Sequence, residues 1–158
     1  MICAWDAFMR LVPLWLRDDV DRLGKESLQE LHLRIGYPAR LLCKKQTYTL
    51  NTPIKTEDLQ FCINAASGYS PWAASTIANG YITAPGGHRV GICGESVMKE
   101  QVMTGIRTPT SVCIRVARDF PGISDGFSML HHSVLIIGSP GCGKTTLFKW
   151  KDKWARTS

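Results

Sequence analysis

No apolar stretch in this 158-residue chain approaches the eighteen or more residues of a membrane-spanning helix. The N-terminus also lacks the basic start, apolar centre and small-residue cleavage site of a signal peptide, and the chain reads as cytoplasmic. The six cysteines are scattered singly, with no C-x-x-C pair, which argues against a cysteine metal cluster or a disulfide framework and fits a reducing compartment. Internal repeats and low-complexity segments are missing too. Net charge is +6, but four of those charges fall after residue 140, so the rest of the chain carries little excess. Electrostatic binding to nucleic acid needs clustered phosphate contacts, and none is legible, so no nucleic-acid partner is expected.

What is present centres on residues 134–147, VLIIGSPGCGKTTL. Gly138, Gly143, Lys144 and Thr145 fit G-x-x-x-x-G-K-[ST], the phosphate-binding P-loop. The expected nucleotide-binding residues are Gly138, Ser139, Pro140, Gly141, Cys142, Gly143, Lys144, Thr145 and Thr146. Glycines let backbone N–H groups approach phosphate oxygens with no Cβ in the way. Lys144 is expected to place an ammonium between the β- and γ-phosphates of ATP, and the Thr145 hydroxyl to hold Mg²⁺. Val134 to Ile137 is a continuous apolar run, expected as a parallel strand buried on both faces. Thr146 and Leu147 are expected to open a helix whose dipole favours the bound anion.

Only thirteen residues follow Thr145, and they contain neither a later strand with an acidic Mg²⁺ partner nor further strands to cover the first. The expectation is of a nucleotide-binding domain begun and left incomplete, in a truncated or fragmentary form that is inactive by itself. Leu147, Trp150 and Trp154 keep helical spacing in the tail.

Before the P-loop the chain reads as an α+β domain. Residues 4–23 form helix in two pieces around Pro13, with Trp5, Phe8, Met9 and Val12 and then Trp15, Leu16, Val20 and Leu23 as an apolar stripe. The opposite face is acidic, so the stripe is expected to pack on the chain's own domain and not on lipid. Leu31, Leu33 and Ile35 alternate with His32 and Arg34 as a half-buried strand, and Arg40–Lys44 with Gln46–Leu50 suggest a hairpin. Thr56 is expected to cap a helix over 57–66, followed by a shorter helix over 71–78. Residues 81–118 read as a meander: a strand at 81–84, a Pro85-Gly86-Gly87 turn, a return at 88–93, a short strand at 97–101 and a strong one at 111–118. Residues 120–126 are loop-forming. The organisation expected is a helical segment over 1–23, an α+β domain over 24–130, and over 131–158 the first strand, loop and helix of an incomplete α/β P-loop NTPase domain.

With LHLRIGYP at 31–38, GYIT at 80–83, GGHRVG at 86–91, the strand at 111–118 and the P-loop in view, the chain resembles the stage III sporulation protein AA family. The resemblance covers roughly residues 12–147. That family is similar to the hexameric secretion ATPases. The resemblance implies ATP and Mg²⁺ as ligands, a hexamer in the full-length form, and a cytoplasmic position peripheral to the forespore membrane. It also implies membrane-channel partners made during sporulation, with ATP hydrolysis powering a channel between mother cell and forespore. Arginines of the N-terminal domain approach the nucleotide in secretion ATPases, which points to Arg89 or Arg115; His88 is expected as a surface residue of the sheet. The competing reading is a non-catalytic interaction module, docking residues 1–130 to a membrane partner.

Overall fold

A computed structural model describes residues 1–68, 80–123, 135–139 and 142–147. Its chain divides into two units, Cys3–Ala117 and a second formed by Met1–Ile2 with Arg118–Ser158.

In the first unit, the apolar stripe at the N-terminus winds into α1 (Trp5–Leu11). Pro13 then breaks the helix, a 3₁₀ turn over Leu14–Leu16 follows, and α2 (Arg17–Ser27) is interrupted at Gly24. The sheet comprises β1 (Leu28–Arg34), β2 (Pro38–Cys43), β3 (Thr47–Pro53), β4 (Tyr81–Thr83), β5 (Arg89–Lys99) and β6 (Val102–Arg115). Its order is β3-β2-β1-β6-β5-β4, with every neighbouring pair antiparallel. Helix α3 (Thr56–Ser67) lies between β3 and β4 in the chain.

Strand periodicity sorts the side chains. Leu31 and Leu33 of β1, Leu41 of β2, Val90 and Ile92 of β5, and Val112 and Ile114 of β6 are all buried. Cross-strand register stacks Leu31 against Leu41 and Ile114, so these leucines and isoleucines share one face. A bulge between Leu28 and Glu30 lets Leu28 point inward as well, despite its odd spacing from Leu31. Phe8, Leu11, Val12, Leu16 and Val20 belong to the same core cluster, as do Leu59, Cys62 and Ile63 of α3. Each fully buried large side chain of this kind contributes roughly 1.5–3 kcal/mol. The stripe over 4–23 thus packs on its own domain.

Several local expectations need correcting. Thr56 does not cap α3; the helix starts on it, and the Asp58 carboxylate accepts the Lys55 N–H at 2.8 Å across the first turn. Of the strand expected at 97–101, residues 97–99 are the end of β5, and of the strand expected at 111–118, residues 111–115 are the last five of a β6 that begins at Val102 and ends at Arg115. The two join at Glu100-Gln101, both with positive φ (50° and 65°), a tight two-residue turn of the primed kind. β1 pairs with residues 111–115 and β4 with 89–91, so residues 94–109 form a two-stranded ribbon that pairs with itself alone among the described residues. The helix expected over 71–78 and the loop residues 124–126 lie outside the described residues.

His88 is the largest departure from expectation. It is not at the surface but 0% exposed. Nδ1 accepts the Ala117 N–H at 3.0 Å, so the Nε2–H donates to the Ala4 carbonyl at 2.9 Å, and the ring meets Phe8 edge-on with centroids 5.3 Å apart. One imidazole thereby ties the start of α1, the entry to β5 and the exit of β6. Burial pushes its pKa below the ordinary value, which keeps the ring neutral.

Candidate functional site

In the second unit the described residues include most of the glycine loop. Leu135–Ser139 carry no strand, and the Leu135 and Ile137 side chains are 83% and 84% exposed, so the doubly buried strand expected at 134–137 is not formed over its described residues. A strand needs ladder partners for its N–H and C=O groups, and none pairs with these residues among those described. Helix begins at Lys144, two residues earlier than expected, and runs over 144–147, with the Leu147 N–H donating to the Gly143 carbonyl at 2.9 Å.

The loop itself has the character a phosphate cradle requires. Gly143 has φ +92°, a conformation that strains any residue with a side chain, and a Cβ added at Gly138 would lie 2.5 Å from Cys142 Sγ. The Lys144 ammonium folds over the loop, donating to the Gly138 and Ser139 carbonyls at 2.7 Å each, with Cys142 Sγ at 3.6 Å. Thr145 is exposed at the helix start. Gly143, Lys144 and Thr145 supply a glycine turn, a cation and a hydroxyl at consecutive positions, groups whose chemistry suits a nucleotide phosphate with its Mg²⁺. Val134, Pro140 and Gly141 lie outside the described residues.

The first unit carries the two expected arginines on the polar face of its sheet. Arg89 and Arg115 are direct partners across β5 and β6. The Arg89 guanidinium sits 4.2 Å over the Tyr81 ring. Arg115 is engaged differently, donating Nε and Nη2 to Glu30 Oε1 at 2.9 and 2.7 Å. Next to them, His32 Nε2 meets Glu30 Oε2 at 2.9 Å, and Cys113 Sγ lies 3.8 Å from that same oxygen. Hydrogen bonding from His32, joined by Arg115, outweighs burial and lowers the Glu30 pKa. Burial and the Glu30 charge push the Cys113 thiol up to about 11. His32, Arg34, Arg40, Cys93 and Cys113 line a concavity of about 530 Å³ on this face.

The Glu30–His32–Cys113 cluster was not legible in the cysteine spacing. A signal existed in the alternation at 30–32 and 111–115, which puts polar residues on one face, but strand register alone brings residues 83 positions apart together.

Comparison with known proteins decides the family. The family model described as sporulation stage III, protein AA, matches residues 9–153. The chain belongs to that family. A family relative, stage III sporulation protein AA of Bacillus subtilis (strain 168), is 32% identical over 129 residues, covering 78% of this chain. The chain spans 42% of that relative's length. Among solved structures, the Legionella pneumophila ATPase DotB is similar with a TM-score of 0.51 at 16% identity, over 92% of this chain and 42% of that one. That likeness is one of fold. No described helix of this family member is long and apolar enough to cross a membrane.

Proposed function

We propose that the chain carries the N-terminal domain and the phosphate-binding loop of a sporulation ATPase that binds Mg²⁺–ATP. The observation that supports this reading is the Lys144 ammonium folded over a loop in which a Cβ at Gly138 would collide with Cys142 Sγ and Gly143 takes a φ that side chains disfavour. Nucleotide entry would exchange the Gly138 and Ser139 carbonyls for phosphate oxygens as acceptors of the Lys144 protons, a stronger, charge-assisted pairing. Thr145 would hold the Mg²⁺ that bridges the phosphates. In the longer protein, assembled as a hexamer beside membrane-channel proteins made during sporulation, hydrolysis would power that channel, with the enzyme itself cytoplasmic and peripheral to the membrane.

Titration with a fluorescent ATP analogue and Mg²⁺ tests the reading. Lys144→Ala removes a charge-assisted contact of roughly 1.5–3 kcal/mol, so affinity should drop about tenfold to a hundredfold. Equal binding by the two proteins would refute a phosphate role for Lys144.

Arg89 or Arg115, neighbours across β5 and β6, would approach the nucleotide in the assembled protein, as the resemblance to the secretion ATPases implies. Arg115 is 66% exposed, so its ion pair with Glu30 adds under about 1 kcal/mol to stability. In the longer protein, Ala at both positions should lower ATP turnover and leave the thermal unfolding midpoint within a few degrees; unchanged turnover would remove both from the site.

A second reading, a docking module without catalysis, is favoured by the separate core of residues 3–117. It requires that wild-type chain and Lys144→Ala show the same absence of nucleotide binding.

A further inference from the structure

Where β1 meets β6, three side chains of different chemistry converge on the polar face of the sheet. Glu30 and His32 stand two residues apart on β1, and the strand period puts both on one side. Cys113 is the direct partner of His32 on β6. The carboxylate oxygen, imidazole nitrogen and thiol sulfur all lie within 4.8 Å of one another. A four-coordinate ion with Zn–N and Zn–O near 2.1 Å and Zn–S near 2.3 Å places its ligand atoms roughly 3.4–3.7 Å apart. The observed 2.9 and 3.8 Å separations bracket that spacing, so small side-chain rotations suffice.

We propose that Glu30, His32 and Cys113 form a binding site for a zinc-like divalent transition metal, its fourth position open to the adjacent concavity.

Arg115 strengthens the case by what it leaves free. It holds Oε1 of Glu30 with two N–H groups, which orients the carboxylate and leaves Oε2 toward His32 and Cys113. Outer partners of this kind fix ligands in metal sites. The donor set selects the ion: one sulfur, one nitrogen and one carboxylate suit Zn²⁺ or Co²⁺, whereas Mg²⁺ and Ca²⁺ require oxygen ligands. Charge also balances. A carboxylate and a thiolate together neutralise a 2+ ion, so the Arg115 guanidinium faces a centre without net charge. Binding forms a metal–sulfur bond and releases the thiol proton to solvent, because the metal takes the thiolate. Affinity should therefore rise with pH. The bland alternative is an ion-pair cluster of Glu30, His32 and Arg115 with a bystander thiol.

The test uses the whole chain, stripped of metal and free of nucleotide, titrated with Co²⁺ alone and then with competing Zn²⁺. Expected are one equivalent bound, a sulfur-to-cobalt charge-transfer band in the near ultraviolet, and one proton released. Cys113→Ser should abolish the band and weaken Zn²⁺ by roughly tenfold or more, and His32→Gln should weaken it comparably. Cys43→Ser should leave both unchanged. His32 is 38% exposed, so its substitution tests the site even where the cysteine variant fails to fold. No band in the wild-type chain, a band that survives in folded Cys113→Ser, or full affinity in His32→Gln would overturn the proposal.

Discussion

Replacing His88 with Ala is expected to destabilise the first unit by about 3 kcal/mol, enough to lower its thermal midpoint by roughly 10 °C or more. Three losses combine in that figure. The Ala117 N–H loses its imidazole acceptor, the Ala4 carbonyl keeps only the Phe8 N–H, and the ring that meets Phe8 edge-on leaves a cavity. Asn, whose side-chain oxygen can replace Nδ1 as acceptor for Ala117, should cost less than Ala. Equal midpoints for wild type and His88→Ala would show that the three segments hold together without the imidazole.

The same residue sets a pH dependence. Its folded pKa lies below the ordinary 6.5, so the unfolded chain takes up the proton more readily than the folded one. The stability from neutral His88 is complete above about pH 6.5 and is lost as pH falls below it. Thermal midpoints taken from about pH 7.5 to about pH 5.5 should therefore decline in wild type and be flatter in His88→Asn. Glu30 contributes in a separate window, because its lowered pKa matters only as pH falls below the ordinary 4.5.

Gly94→Ala should disrupt the two-stranded ribbon while leaving the remaining sheet in place. A Cβ at Gly94 would lie 2.7 Å from the Thr108 carbonyl oxygen and from Ile106 Cγ2, and 3.0 Å from the Arg107 carbonyl. Two of those three obstacles are backbone, at a bulge where the β5–β6 register shifts, so the strands must separate or slip. A cost of about 2 kcal/mol corresponds to amide exchange roughly thirtyfold faster along the ribbon. Gly105→Ala is the control. A Cβ there meets nothing within 4 Å, and its exchange should match wild type or slow slightly. If the two alanine variants exchange alike, close backbone approach at Gly94 is not what shapes the ribbon.

Much of this architecture is legible from local chemistry. Period-two alternation at 31–35 marks β1, the 3.6-residue stripe from Trp5 to Val12 marks α1, and Pro13 marks its end. The GSPGCGKTT spacing matches the phosphate-loop pattern, whose requirement of backbone freedom and one cation is written in consecutive residues.

Other features have no local signature. Glu100-Gln101 turns a tight hairpin with φ values usually left to Asn and Gly, so the ribbon is specified by pairing between the β5 and β6 arms and not by turn chemistry. His88 looks like any polar residue after a glycine turn, and only packing reveals that it bridges Ala4 and Ala117, residues 84 and 29 positions away. The apolar run at 135–137 illustrates the converse: strand propensity without ladder partners yields no strand. By itself the sequence determined the elements whose stabilising contacts lie within a few residues, together with the phosphate-loop motif. Only tertiary structure decided the strand order, the burial of His88, the pairing of Arg89 with Arg115, and the meeting of Glu30, His32 and Cys113. The last two depend on register between strands, where a shift of a single residue would carry a side chain to the opposite face, and the first two depend on packing between segments distant in the chain.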